Sequence, residues 1–141
     1  MNEILFEASY TRIELDAENR VIILRLIGVI NHEDYKNMWN TFIDKVQEYD
    51  IQKMIADQTA LERSGMESKA WLVAKWFPKV RKILGNDIKI ALVTSRSLFT
   101  RIGGEYIVNA VRSMSKFDIR MYNTFDAALE WLKEPPKTPE N

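Results

Sequence analysis

Apolar runs and segments of helical period alternate along this chain. An alternating segment at residues 10–16 and an apolar run at residues 21–27 predict an antiparallel β-hairpin. Further apolar runs lie at residues 54–56, 88–93 and 119–122, and each is followed by a segment whose apolar residues recur at helical spacing. Strands that alternate with helices are typical of an α/β domain with a mostly parallel sheet.

The pattern predicts a five-stranded, mostly parallel sheet with an N-terminal antiparallel hairpin strand and about four helices. Polar and apolar residues alternate at residues 10–16, which indicates a half-exposed strand at the edge of the sheet. Residues 1–133 are predicted to form one domain. The prolines of the tail predict that residues 134–141 are disordered or extended.

Several residues mark the ends of the predicted helices. Asn31, with an acid three residues later at Asp34, is typical of a helix N-cap. The sequence Ser64-Gly65-Met66-Glu67 predicts a capping box that opens the second helix. Pro78 is expected to kink that helix and Gly85 to end it.

Composition excludes several classes of function. The 20 basic and 20 acidic residues cancel, so no overall charge favours nucleic acid or an anionic membrane. Without cysteine there is no thiol chemistry, and the start of the chain has no signal-peptide pattern, so we expect a soluble cytoplasmic protein. His32 is the only histidine and lacks further ligands at suitable spacing, so neither a metal site nor a cofactor is expected.

Several short motifs along residues 10–133 point to a known family. They are Asp57 at the end of a strand, Ser64-Gly65-Met66 at a helix start, Glu33-Asp34-Tyr35, Trp71 with Trp76-Phe77-Pro78, and the segment from Phe125 to Leu132. With these motifs the chain resembles the STAS domain, the fold of bacterial anti-sigma-factor antagonists, and within it the SpoIIAA-like branch that shares its fold with CRAL-TRIO lipid-binding domains. The resemblance implies a SpoIIAA-like βα superhelix that acts through contact with another protein.

Ser64 has two interpretations in the light of this resemblance. Phosphorylated STAS proteins carry an acceptor serine directly before a Ser-Gly pair, but Arg63 occupies that position here. This departure argues against a phosphorylation switch of the sporulation type, although Ser64 itself stays a candidate phosphoacceptor beside Arg63. The alternative is a helix cap, which we favour because Glu67 completes the capping box.

Ligands of open α/β sheets gather outside the carboxyl ends of the parallel strands. Asp57 is more plausible as an anchor for a loop than as a general base, since no nucleophile pairs with it in the sequence. The segment from Thr94 to Ser97 could hold an anion at a helix start, but ordinary loop chemistry explains it as well. The candidate ligand rim consists of Asp57, Thr59, Thr94, Ser95, Arg96 and Arg101.

Aromatic and basic residues extend around the second helix. They form either a wide buried face or an exposed aromatic patch with a basic rim, suited to self-association or to an acidic, lipid-like or protein partner. The candidate interface residues are Trp71, Leu72, Trp76 and Lys79.

Three functions follow in order of preference. The first is a non-enzymatic regulatory or protein-binding module, expected to be a homodimer through the second helix. The second is a carrier of a small apolar or lipid-like ligand, with a pocket lined by Trp39, Phe99 and Tyr106. The third is hydrolase-like catalysis by Asp57 or Ser64.

Overall fold

One mixed sheet of six strands forms the centre of the molecule. The computed structural model of the chain describes residues 2–134. The strands lie in chain order, the first three pairing antiparallel and the third to the sixth pairing parallel. They are β1 (Glu3–Ala8), β2 (Thr11–Asp16), β3 (Val21–Ile30), β4 (Lys53–Ser64), β5 (Lys89–Val93) and β6 (Asp118–Tyr122).

Helices cover both faces of this sheet. They are α1 (His32–Tyr49), α2 (Met66–Trp71), α3 (Phe77–Leu84), α4 (Leu98–Met114) and α5 (Phe125–Lys133). A π-helical turn, Leu72–Trp76, joins α2 to α3, so the five helices form four helical units, as predicted. The first four helices bury their apolar side chains against one face of the sheet, and α5 packs on the other.

The central strand β3 shows why helices cover both faces of the sheet. Ile22 and Leu24 belong to the larger core beneath the first four helices, whereas Val21 and Ile23 pack with α5. Successive side chains of a strand point to opposite faces, so an uninterrupted apolar run needs cover on both sides.

The sheet has six strands and not the predicted five, and the strand at its N-terminal edge is β1 and not β2. β1 pairs with the outer side of β2, which therefore lies inside the sheet and not at its edge. The sequence pattern missed β1 because its apolar residues are consecutive, and a register shift between Ile4 and Phe6 interrupts its pairing.

β4 is much longer than the predicted strand at residues 54–56. Its pairing with β5 ends where Asp57 faces Val93, but its pairing with β3 continues until Ile30 faces Ser64. Two register shifts accommodate the polar second half of the strand. Asp57 therefore lies within β4 rather than at its end, and the strand extends to the start of α2.

Most of the predicted helix boundaries are confirmed. The Asn31 side chain accepts a hydrogen bond of 2.8 Å from the Asp34 amide, and Gly85 ends α3 at a positive φ of 80°. The π turn lies directly before Phe77-Pro78, where the Phe77 amide bonds to the Leu72 carbonyl. The predicted cap at Ser64 is wrong, because Gly65 is the N-cap of α2 and no side chain caps it.

No helix within residues 2–134 has the length and hydropathy that crossing a bilayer requires. The predicted disorder of residues 134–141 lies outside the described residues except for Glu134.

Candidate recognition surface at the strand ends

The end of β4 and the starts of α2 and α4 come together around Lys69, whose amine contacts Ser64 and the Phe99 ring. We call four exposed residues of these segments and of the loop after β5 the strand-end surface: Arg63, Met66, Arg96 and Phe99. Met66 is 62% exposed and Phe99 is 40% exposed. Large apolar side chains at such exposure are available for contact with another molecule.

A buried pair formed by Ser64 and Lys69 lies beneath this surface. The Lys69 amine donates to the Ser64 carbonyl at 3.0 Å and to the Ser64 hydroxyl at 3.1 Å. Both residues are 4% exposed. The Ser64 hydroxyl thus binds a neighbouring amine and caps no helix, which leaves it little access for a kinase.

Phe99 lies over the same amine, with 4.8 Å between Nζ and the ring centroid. This cation–π contact connects the start of α4 to α2. Gly103 permits the approach, because a Cβ at that position would lie 2.6 Å from the Lys69 Cε. The neighbouring Gly104 does the same for Thr94, whose methyl group would lie 3.1 Å from an added Cβ.

Burial lowers the pKa of the Lys69 amine below its ordinary value of 10.5. Within residues 2–134, no carboxylate lies within 4 Å of this amine. Lys69 is a site residue that the sequence pattern did not predict. The available signal was its spacing from Val73 and Trp76, which places a charged residue on the core-facing side of the helix.

Asp57 belongs to a different cluster, on the α5 side of the sheet. Its carboxylate accepts a 2.6 Å bond from Arg25, whose guanidinium also binds Glu14 at 2.6 Å and lies 5.0 Å from the Phe125 ring centroid. Asp57 accepts a second bond from the Thr59 amide at 3.0 Å. These bonds occupy the carboxylate within the sheet, where it pairs with Arg25 of β3, and not in a loop as the sequence suggested.

Glu14 is the other acid of this cluster. Burial raises the pKa of its carboxyl, but the hydrogen bonds from Arg25 and Asn2 outweigh burial and bring the pKa below 4.5. Glu14 can be buried in β2 because its charged carboxylate is paired and hydrogen-bonded.

The predicted ligand rim is not one site. Thr94 is fully buried on the α4 side with its hydroxyl unpaired among the described residues, whereas Asp57 faces α5. The Ser95 hydroxyl lies 2.8 Å from that of Thr100 at the start of α4. The remaining members of the predicted rim are exposed at separate positions: Thr59, Arg96 and Arg101.

The predicted aromatic interface is wrong in its central residues. Leu72 and Trp76 are fully buried, and the Trp76 indole donates a 2.8 Å bond to the Trp39 carbonyl. The buried residues Lys69, Leu72, Val73, Trp76 and Phe77 recur at the three- and four-residue spacing of one helix face, so of the two interpretations the structure shows the wide buried face. Trp71 is partly buried, and Lys79 is the one exposed member of these four residues.

The pocket expected for an apolar ligand is not formed by its predicted residues. Trp39 is fully buried against the rings of Phe42 and Trp76, whereas Phe99 and Tyr106 are exposed on α4. A small apolar cleft between α3 and the end of α4 has a volume of about 90 Å³. An open groove of about 480 Å³ lies at the starts of β4, β5 and β6, where Lys53, Lys89 and Asp118 are among its lining residues, and it includes none of the predicted ones.

His32 lies at the start of α1. Its Nδ1 is 3.0 Å from the Ser68 hydroxyl, and its Nε2 is 3.7 Å from the Glu67 carboxylate. Within the described residues 2–134, no group of three or more potential ligands is arranged to hold a metal ion.

Comparison with known proteins gives a family and a set of similar folds. The model of the SpoIIAA-like family matches residues 21–133, which is more than half of the chain. No curated protein matches the chain.

Three solved structures share the fold across nearly the whole chain. An uncharacterised protein from Shewanella loihica PV-4 with a SpoIIAA-like fold is 19% identical, with a TM-score of 0.55 over 94% of this chain and 95% of that one. The anti-sigma factor antagonist SpoIIAA in its unphosphorylated form is 12% identical, with a TM-score of 0.60 over 87% and 96%. An anti-sigma factor antagonist from Mycobacterium paratuberculosis is 15% identical, with a TM-score of 0.56 over 95% and 94%.

Proposed function

Because the chain belongs to the SpoIIAA-like family, we propose that it is a non-enzymatic regulatory module that binds another protein at the strand-end surface. The observation that carries this proposal is the exposure of Met66 and Phe99 at that surface. Two structural neighbours are named as antagonists of an anti-sigma factor, and so act on a protein. We expect this chain to act in the same manner, in the cytoplasm.

The chemistry of the surface favours a partner with an apolar segment. Burial of a methionine side chain contributes about 1.5–3 kcal/mol, so Met66 alone can change a Kd by about tenfold or more. Phe99 adds a ring whose inner face is already fixed over Lys69. A fixed ring loses little conformational entropy on binding, which favours affinity.

The direct test is a charge placed at Met66. Met66→Asp removes the apolar contact, but an acid in the first turn of a helix is favourable, so the fold should survive. Proteins that co-purify with the full chain from its own cells are compared by quantitative mass spectrometry. At least one protein retained by the wild type should be depleted about tenfold or more with the variant.

Ile83→Asp is the matched control, because Ile83 is 40% exposed on α3, away from the strand-end surface. It should retain the same protein as the wild type. Equal recovery of every co-purifying protein with Met66→Asp would contradict the proposal.

A nucleophilic role for Ser64 is the second candidate. The specific observation is the 3.1 Å contact with Lys69, since a serine beside a lysine of lowered pKa is one arrangement that activates a hydroxyl. The burial of both residues opposes it, because a substrate would need access to the hydroxyl.

A fluorophosphonate probe separates the two candidates. In a nucleophilic site, the Ser64 oxygen forms a bond to phosphorus, fluoride leaves, and Lys69 in its neutral, deprotonated form takes the hydroxyl proton. Such an adduct would appear on the intact chain and be absent from Lys69→Met. A binding module predicts that Ser64 stays unmodified.

A further inference from the structure

The outer face of α4 is apolar at its centre and charged along one flank. Leu98 is 67% exposed and Ile102 is 57% exposed. Arg101 and Glu105 are exposed beside them. Residues three and four apart share one side of a helix, so these four side chains form a single face, which we call the α4 face.

The two charges of this face have no partner within the described part of the chain. No ion pair shorter than 4 Å involves Arg101 or Glu105 within residues 2–134. They are four residues apart in the order positive then negative along α4. An antiparallel copy of the same helix reverses this order.

We propose that the α4 face pairs with the α4 face of a second copy of this chain, antiparallel and about a two-fold axis level with Gly103. The axis places Arg101 of each copy opposite Glu105 of the other, because the two residues are equally far from residue 103. In a two-fold contact the same flank meets itself, so both charge pairs form on one side of the helices.

The apolar centre of the face suits the same arrangement. Ile102 lies beside the two-fold axis. Leu98 of each copy lies further from the axis and covers the second half of the partner copy's α4. The contact thus has an apolar centre with charges at its margin, as in other protein interfaces. The opposed charges set the direction of the helices more than they add affinity.

This inference goes beyond the proposed function and does not depend on it. The α4 face contains neither Met66 nor Arg63, and Met66→Asp should leave the pairing unchanged. If the pairing is disproved, the proposal of protein binding at the strand-end surface is unaffected. If that binding is disproved, the proposal of pairing through α4 is unaffected.

The first experiment is sedimentation velocity of the purified full chain across a wide range of concentration. The wild type should sediment as a dimer, and Ile102→Asp should weaken the dimer by about tenfold or more, because it places a charge from each copy beside the axis, in the apolar centre of the contact. Ile83→Asp should dimerise as the wild type does. A monomeric wild type, or a dimer unaffected by Ile102→Asp, would overturn the inference.

A charge exchange tests the orientation without altering the apolar centre. Arg101→Glu and Glu105→Arg should each weaken the homodimer, since each leaves like charges opposed. A mixture of these two variants should form a heterodimer, because every opposed pair is then of opposite sign. No gain in association on mixing would refute the antiparallel arrangement.

Discussion

A buried amine needs hydrogen-bond partners in place of the water that it loses on folding. Among the described residues, Lys69 finds these partners without a carboxylate. The backbone and hydroxyl oxygens of Ser64 accept two of its three N–H bonds, and the ring of Phe99 covers it. Such neutral partners compensate a charge only in part, and the pKa of Lys69 is lowered as a result. The residue therefore links stability to pH.

We predict that Lys69→Met removes a dependence of stability on alkaline pH. Because the pKa of Lys69 is lower in the folded chain than its ordinary 10.5, the unfolded chain binds more protons between the two values. The free energy of unfolding then rises with pH in that window for the wild type relative to the variant. Urea denaturation of both proteins from neutral pH towards pH 10.5 measures the difference, and parallel curves would contradict the prediction.

We predict that Gly103→Ala destabilises the chain by about 1–3 kcal/mol, as overpacking of a core does. Its Cβ would lie 2.6 Å from the Lys69 Cε, so the lysine must leave its place. In a Lys69→Ala background the same change should cost little, or stabilise α4 by up to about 1 kcal/mol through helix propensity. Chemical denaturation of the wild type, the two single variants and the double variant gives the coupling free energy between positions 69 and 103. A coupling free energy of zero would show that the contact between them is unimportant.

At the scale of elements, the helical unit from Met66 to Leu84 decides which aromatic residues are buried. Its buried residues recur at the three- and four-residue spacing of one helix face, and Leu72 and Trp76 lie on that face. The Trp76 ring packs edge-on against that of Trp39 at a centroid distance of 4.8 Å. These two tryptophans stabilise the fold of the chain.

We predict that Trp76→Ala lowers the free energy of unfolding by about 3–5 kcal/mol, the usual cost of removing a large buried side chain. Trp71→Ala should cost much less, because Trp71 is only partly buried. Thermal or urea denaturation of both variants compares them. Equal losses would show that Trp71 also belongs to the core.

The elements that sequence predicted well are those with a strong local signal. The Asn31 cap, the end at Gly85 and the run at residues 21–27 depend on neighbouring residues alone. The second half of β4 depends on distant pairing with β3, and its polar side chains gave no sign of it. The Ser64–Lys69 contact was missed for a similar reason, since it requires the turn from strand to helix to be known.

At the scale of the whole molecule, the predicted SpoIIAA-like α/β fold and the resemblance to that family are confirmed. The sheet and its two helical layers form a continuous support, and exposed apolar residues lie at the start of α2 and on the outer face of α4. This arrangement leaves two adjoining surfaces for recognition. We assign the strand-end surface to a different protein and the α4 face to a second copy of the chain.

The central proposal, recognition of another protein at the strand-end surface, is tested most directly by photocrosslinking in cells. A photoreactive amino acid is placed at position 66 and, in a separate variant, at position 83 on α3. We predict that position 66 crosslinks to one defined protein and that position 83 does not. Crosslinks to no protein at position 66, or to the same proteins from both positions, would contradict the proposal.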